Sequence, residues 1–252
     1  MGKGTPQIAA LKRTFALLDA VVGSGEGLAE IAARLGIPLS SAYRQIATLV
    51  AEGYLLRLAN GRHVAGPRLL RLLGSVDDKQ IVANAAAPAL GRLAARTGAI
   101  VQLGTLDNDM VTYRIKVGQG AAKLFTKVGM QMEAYCTAIG KVLLAELPER
   151  ELEAYLATGP FVALTDRTIV ASGDLREELA RVRDQGHATD DGEASEDLYC
   201  LAVPVRTAAG QVRAAVSVSR DARIAAKAGN AGVLEALRES VTEIERTLSG
   251  ET

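Results

Sequence analysis

GIPLSSAYRQIATL, residues 36–49, sets a Gly-Ile-Pro break in front of a segment whose apolar and polar side chains separate at helical spacing. Ala42, Ile46, Leu49 and Val50 fall on one face of a helix expected from Leu39 or Ser40 to Glu52. The opposite face reads Ser41, Arg44, Gln45 and Thr48, with Ser40 at its start. Just upstream, Leu28, Ile31, Ala32 and Leu35 form a shorter stripe that stops at Gly36, a glycine placed to end a helix, and Pro38 prevents simple continuation. Further upstream, Ile8, Leu11, Phe15, Leu18 and Val22 predict a helix of about four turns, closed by GSGEG at 23–27. Downstream, YLLRLANGRHVAG (54–66) places Asn60-Gly61 between β-prone segments, a dipeptide suited to a turn with two positive φ angles, and so predicts a hairpin with Arg57, Arg62 and His63 around its tip.

A short helix, a glycine-containing turn, a second helix with small polar side chains outward and a basic hairpin together predict a winged helix-turn-helix. Its exposed helix face would enter the major groove of double-stranded DNA. Ser40, Ser41 and Thr48 are short enough to reach phosphates or base edges, Arg44 can donate twice to guanine, Gln45 can pair with adenine, and Arg57 and Arg62 suit phosphates. Charge agrees: residues 1–75 hold nine Lys/Arg against four Asp/Glu, a balance of +5, whereas the remainder carries −5 within a chain of zero net charge. A basic module favours a polyanion.

At 252 residues, 48% hydrophobic and 23% charged, the chain reads as a soluble protein of two domains. No apolar run approaches the roughly 20 residues of a membrane span, and the N-terminal MGKGTPQIAALKRTF has no signal or transit character, so a cytoplasmic protein is expected. Two cysteines, Cys136 and Cys200, are too few for a disulfide framework. Residues 67–97 are helical in pattern with an interruption near Gly74–Asp78, which predicts a DNA-binding domain over 1–75, a linker helix over 76–97 and a further domain over 98–252. In the last, strands flank Asp107-Asn108-Asp109, helices are expected at TAIGKVLLAEL, 149–157, 174–185 and 231–248, and strands at LYCLAVPVR and QVRAAVSVSR. Neighbouring strands joined by short turns imply an antiparallel sheet with flanking helices, hence an α+β two-domain chain.

The order of LKRTFALLDAVV (11–22), GLAEIAARLGIPLSSAYRQIATLVAEGYL (27–55), TAIGKVLLAEL (137–147), LREELARVRDQGHATDDGE (175–193), CLAVPVR (200–206) and AAVSVS (214–219) resembles the isocitrate-lyase-regulator (IclR) family of bacterial transcription factors, over about residues 8–248. The resemblance implies an N-terminal winged helix, a linker helix and a GAF-like effector domain, in a homodimer or homotetramer on pseudo-palindromic operators. It implies a ligand-responsive regulator, a repressor of a catabolic operon among the options, with no cofactor and no membrane partner. It also implies where a small organic acid would sit: at the amides of Thr137, Ala138, Ile139 and Gly140, which open a helix and suit a carboxylate, and beside Asp190, Cys200, Ser217 and Ser219, with Ala121 and Leu124 as apolar lining. The spacing of two puts Ser217 and Ser219 on one strand face. Because the Asp190 charge would repel an anion, an effector carrying a hydroxy or oxo group, aromatic or aliphatic, is expected. SEDLYC (195–200) departs from the family, which more often has Gly and a small or basic residue before the cysteine; Tyr199 and its acidic neighbours would either reshape the pocket's mouth or face solvent.

An enzyme and a DNA-free oligomeric scaffold are the alternatives. Cys136, His187 and Asp190 supply the residue types of a cysteine hydrolase or amidase, and Cys200, His187 and Asp191 those of a metal site, but neither set has motif spacing. Gly140-Lys141 lacks the remainder of a phosphate-binding loop. No metal is expected.

Overall fold

The computed structural model describes residues 7–121 and 124–250, and the chain divides into two compact units, Met1–Asp77 and Asp78–Thr252. The first contains α1 (Ala9–Gly23), α2 (Leu28–Arg34), α3 (Leu39–Ala51), the hairpin β1 (Leu55–Arg57) and β2 (His63–Ala65), and α4 (Pro67–Gly74). Its core is Leu17, Val21, Ile31, Ala32, Ile37, Ala42, Ile46, Leu49 and Leu55.

The turn between α2 and α3 follows directly from the Gly-Ile-Pro break. Gly36 takes a φ of 62° and donates to Ala33 O, while Ile37 donates to Ala32 O and buries its side chain. This paired closure satisfies the last carbonyls of α2 and needs a residue tolerant of positive φ at 36. Pro38 then caps α3, whose first free carbonyl acceptor it supplies to Ser41 and Ala42.

The expected first helix is α1; Ile8, Leu11, Phe15 and Val22 are exposed, and the helix buries Leu17 and Val21. One local expectation is corrected. The wing exists in the expected place, but Gly61 alone has positive φ (81°). Gly61 N–H donates to Leu58 O, Leu58 N–H to Arg62 O and Arg62 N–H to Asn60 Oδ1, which is a three-residue loop closed by a left-handed glycine. The two-residue turn with both φ positive lies elsewhere, at Asn108 (51°) and Asp109 (67°).

The second unit contains a six-stranded antiparallel sheet of order β5-β4-β3-β8-β7-β6. The strands are β3 (Ile100–Asp107), β4 (Met110–Val117), β5 (Gln131–Glu133), β6 (Ala188–Asp191), β7 (Leu198–Arg206) and β8 (Val212–Asp221). One face carries α5 (Asp78–Thr97) and α10 (Ala231–Leu248); the other carries α6 (Ala138–Ala145), α7 (Glu149–Leu156) and α8 (Ser172–Gln185). A short α9 (Ala222–Ala228) follows β8. Alternation along the strands serves both cores: Leu201, Val203, Val205, Val216 and Val218 face α5 and α10, whereas Cys200, Ala202 and Ala215 face α6. The unit is therefore α+β, and α5, expected as a linker, packs within it on the sheet. Among the described residues no helix is long and apolar enough to cross a membrane.

Candidate DNA-reading face and effector site

On α3, Ser40, Arg44 and Thr48 are exposed and lie in one row along the helix. Tyr43 and Ala47 extend that exposed face, and Tyr43 is 58% exposed. Sequence reasoning missed both, although counting three and four from Ser40 finds them. Ser41 and Gln45 are half-buried, and the Gln45 Oε1 is enclosed without a partner among the described residues; the structure thus separates them from the fully exposed row. Thr48 donates to Arg44 O. On the wing Arg57 and Arg62 are exposed, and Arg62 donates to Gly25 O across 3.1 Å. Burial, then the charge of the facing Arg57, lowers the His63 pKa. An open groove of about 840 Å³ runs between the start of α2, one flank of α3 and the wing, with Tyr43 and Ala47 on its wall. Its acids, Glu26 and Glu30, and its bases, Arg57 and Arg62, give it mixed charge.

In the second unit, strand register assembles a buried polar row on the α6 face. Asp190 pairs with Cys200, Cys200 with Ser219, and Ser217 with Gln102. The cysteine Sγ lies 3.2 Å from Ser219 Oγ, which donates to Gln102 Oε1 (3.2 Å), and Gln102 Nε2 donates to Thr126 Oγ1 (2.8 Å). The start of α6 faces this row. Thr137 caps the helix by accepting from Gly140 N–H (3.1 Å), which leaves the Ala138 and Ile139 amides without an acceptor in the helix.

Thr137, Ala138, Ile139, Asp190, Cys200 and Ser217 line one cavity together with Gln102, Tyr113, Phe125, Thr126, Ala194 and Leu198. It encloses about 10 Å³, room for a single water. Gly140 and Ser219 stand just outside the lining. Gly140 answers a close approach, since a Cβ there would sit 2.1 Å from Ala134 O. Ala121 and Leu124 are half-buried and outside the lining, where Phe125 and Thr126 stand instead. Tyr199 lies on the opposite face of β7, packed with the α5/α10 core, accepts from Asn230 Nδ2 (2.7 Å) and sits under the Arg220 guanidinium. It shapes no cavity mouth, and Glu196 and Asp197 are exposed.

Behind the row lies an ionic cluster that sequence reasoning did not find. Lys141, 1% exposed, donates to Glu193 Oε1 at 2.5 Å and to Glu178 Oε1 at 3.2 Å. Glu193 Oε2 is buried without a partner among the described residues. The Glu193 and Ala194 amides both donate to Asp190 Oδ1 (2.7 and 3.2 Å). Burial pushes the Asp190 carboxyl up to about 6 and the Glu193 carboxyl up to about 7, against the opposing pull of those amides and of Lys141. The available signal was one lysine inside the otherwise apolar AIGKVLLA.

The hydrolase constellation is not assembled. Burial and nearby carboxylates push the Cys136 thiol up to about 12, its Sγ donates to Glu133 O, and among the described residues His187 bonds only to Gln185. A protonated, enclosed thiol with no base beside it is a poor nucleophile. Among the described residues no three His, Cys, Asp or Glu gather as metal ligands.

Family comparison accounts for both units. Residues 10–59 match the IclR helix-turn-helix domain and residues 74–246 the bacterial transcriptional regulator IclR C-terminal domain. The chain belongs to the IclR family. It is 32% identical over 222 residues to the HTH-type transcriptional regulator XynR of Escherichia coli, covering 85% of this chain and 86% of that one. It is 32% identical over 242 residues to the regulator BhcR of Paracoccus denitrificans, covering 92% and 86%. The crystal structure of Thermotoga maritima IclR superposes with a TM-score of 0.63 at 30% identity, over 96% of this chain and 99% of that one. An IclR-family chain is a transcriptional regulator, with a DNA-binding helix-turn-helix and an effector-binding domain, and not an enzyme.

Proposed function

We propose that this IclR-family regulator senses a small organic acid, aromatic or aliphatic and bearing a hydroxy or oxo group, in the cavity between α6 and the polar row of β6, β7 and β8. Residues 1–75 read double-stranded DNA and 98–252 sense the acid, with 76–97 carrying the change between them. It works in the cytoplasm as a homodimer or homotetramer on a pseudo-palindromic operator of a catabolic operon, because one recognition helix reads only a few base pairs and gains specificity from a symmetric partner. Exposed Leu11 and Phe15 on α1 suit that pairing.

The observation that carries the effector reading is the unspent polarity of the cavity. Ser217, 3% exposed, lines it with a hydroxyl that makes no hydrogen bond to the described residues, opposite the open amides of Ala138 and Ile139. A few polar groups converging on a cavity fix the orientation of a small ligand. Helix-terminal amides and the helix dipole stabilise an anion at that point. At 10 Å³ the cavity must widen to admit an acid, so binding selects a conformation different from this one, which is the requirement for coupling to DNA affinity. A thermal-shift screen of the full-length protein against aliphatic and aromatic carboxylates tests the reading. Stabilisation by at least one acid, lost in Ser217→Ala, is expected; no stabilisation by any acid would remove it.

A further inference from the structure

Tyr113 lies on β4 with its ring in the apolar cluster beneath α6 and only 5% of its surface exposed. It lines the cavity, and its phenol O–H forms no hydrogen bond with the described residues. Tyr135, another buried tyrosine of that cluster, donates to Val162 O at 2.8 Å. Burial and the neighbouring Cys200, Asp190 and Cys136 hold the Tyr113 pKa far above its ordinary value, so the hydroxyl stays a donor. A hydroxyl open to a cavity and without an acceptor among the described residues is available to a ligand, and two such residues, Tyr113 and Ser217, line the same cavity as the open amides of α6.

The lining is therefore asymmetric. Its donors are the Tyr113 and Ser217 hydroxyls and the Ala138 and Ile139 amides. Its charged acceptor is Asp190, whose Oδ1 is already occupied by the amides of Glu193 and Ala194. Lys141 balances Glu193 behind it and does not line the cavity. A bare carboxylate would satisfy the donors but set its charge against Asp190. A carboxylate with an adjacent hydroxyl satisfies both, because the hydroxyl donates to Asp190. Size points the same way: the enclosed space holds one water, and Phe125 is the most exposed side chain of the lining, at 44%. Yielding there would admit a molecule of a few heavy atoms more readily than a large ring.

We propose that Tyr113 is a specificity-determining residue of the effector site, its phenol and the Ser217 hydroxyl donating to the carboxylate of a small 2-hydroxy acid whose own hydroxyl donates to Asp190. This rests on the reading of the cavity as an effector site. The probes are glycolate, acetate and glycolamide, titrated up to high millimolar concentration into the full-length protein and its Tyr113→Phe, Ser217→Ala and Tyr199→Phe variants, with thermal shift and ligand-observed NMR as readouts. Glycolate is expected to bind the unaltered protein more tightly than acetate or glycolamide. Its affinity should fall roughly 10- to 100-fold in Tyr113→Phe and in Ser217→Ala, the loss expected for one hydrogen bond to a charged group. Tyr199→Phe, altered on the far face of the sheet, should bind glycolate normally. Unchanged glycolate affinity in a folded Tyr113→Phe would overturn the role of Tyr113, and unchanged affinity in Ser217→Ala would overturn the shared carboxylate site on which that role depends. Acetate binding as tightly as glycolate would overturn the hydroxy-acid class. If none of the three probes binds while a larger acid from the wider screen does, this proposal fails and the effector reading stands.

Discussion

Lys141→Met should be among the most damaging single changes in the second unit. The lysine is 1% exposed, and its ammonium is the charged partner of Glu193 Oε1 at 2.5 Å. Glu178 keeps Arg181 at 2.7 Å when the lysine is lost, so the damage concentrates on Glu193, whose other oxygen already has no partner. Removing one member of a buried pair leaves an uncompensated charge, which costs about 3–5 kcal/mol. At about 2–4 °C per kcal/mol for a chain of this size, the melting temperature should fall by roughly 6–20 °C near pH 8. The pH dependence has a definite sign. Glu193 already titrates near 7 in the folded chain, above its ordinary 4.5, and losing Lys141 raises it further. The penalty is therefore present above about pH 7 and shrinks as pH falls and Glu193 takes up a proton. Lys141→Met/Glu193→Gln removes both charges and keeps the backbone amide that serves Asp190, so it should recover more than half of the loss. Denaturant unfolding of the full-length protein and its single and double variants between pH 6 and 8 is the assay. At pH 8, a single variant within about 1 kcal/mol of the parent, or a double variant no better than Lys141→Met, would refute the account of this cluster.

Other outcomes follow from the same structure. Arg44→Ala should cost about 1–3 kcal/mol at a selected operator and little on random duplex, whereas Arg62→Ala should weaken both alike and flatten the salt slope; fluorescence anisotropy across a salt series separates them, and equal losses for Arg44→Ala would exclude base reading. Asp190→Asn should stabilise the unliganded protein by about 1–3 kcal/mol at pH 7.5, because the folded chain holds this carboxyl near 6 where the ordinary value is 3.8. That gain should vanish as pH falls toward 4, and a gain independent of pH would contradict the assignment. Leu11→Glu combined with Phe15→Glu should yield monomers in sedimentation velocity, since both side chains are exposed on α1; an unchanged assembly would place the contact elsewhere.

The first unit was legible where one local rule governed. Gly36 and Pro38 mark the α2–α3 turn because only a residue tolerant of positive φ closes that helix end and proline cannot continue it. The inward face of α3 followed from periodicity alone. The same rule found α1 but not its buried side, because the helix is apolar on two faces: spacing finds Leu11 and Phe15 as readily as Leu17 and Val21, and only packing chooses between them. Asn-Gly correctly marked the wing but not its turn type, since one left-handed glycine with an Asn60 side-chain bond suffices there. In the second unit, the period of two placed Ser217 and Ser219 on one face, but not their different partners. Register with β3 gives Ser219 to Gln102 and leaves Ser217 open to the cavity. Tyr113, Gln102 and Thr126 reach the site from segments distant along the chain, and no local pattern announces such a meeting. Lys141 was visible as a charge within an apolar helix, yet its partners Glu178 and Glu193 arise only from tertiary packing.

The most direct test of the account is the operator affinity of the full-length protein with and without a carboxylate that stabilises it. Genomic fragments retained by the purified protein at low salt supply the operator, and anisotropy supplies the dissociation constants. The account predicts a two-half-site sequence whose affinity changes at least fivefold when the acid saturates the protein, with operator DNA changing the acid's affinity by the same factor. An operator bound equally well with and without the acid would contradict the account at its centre.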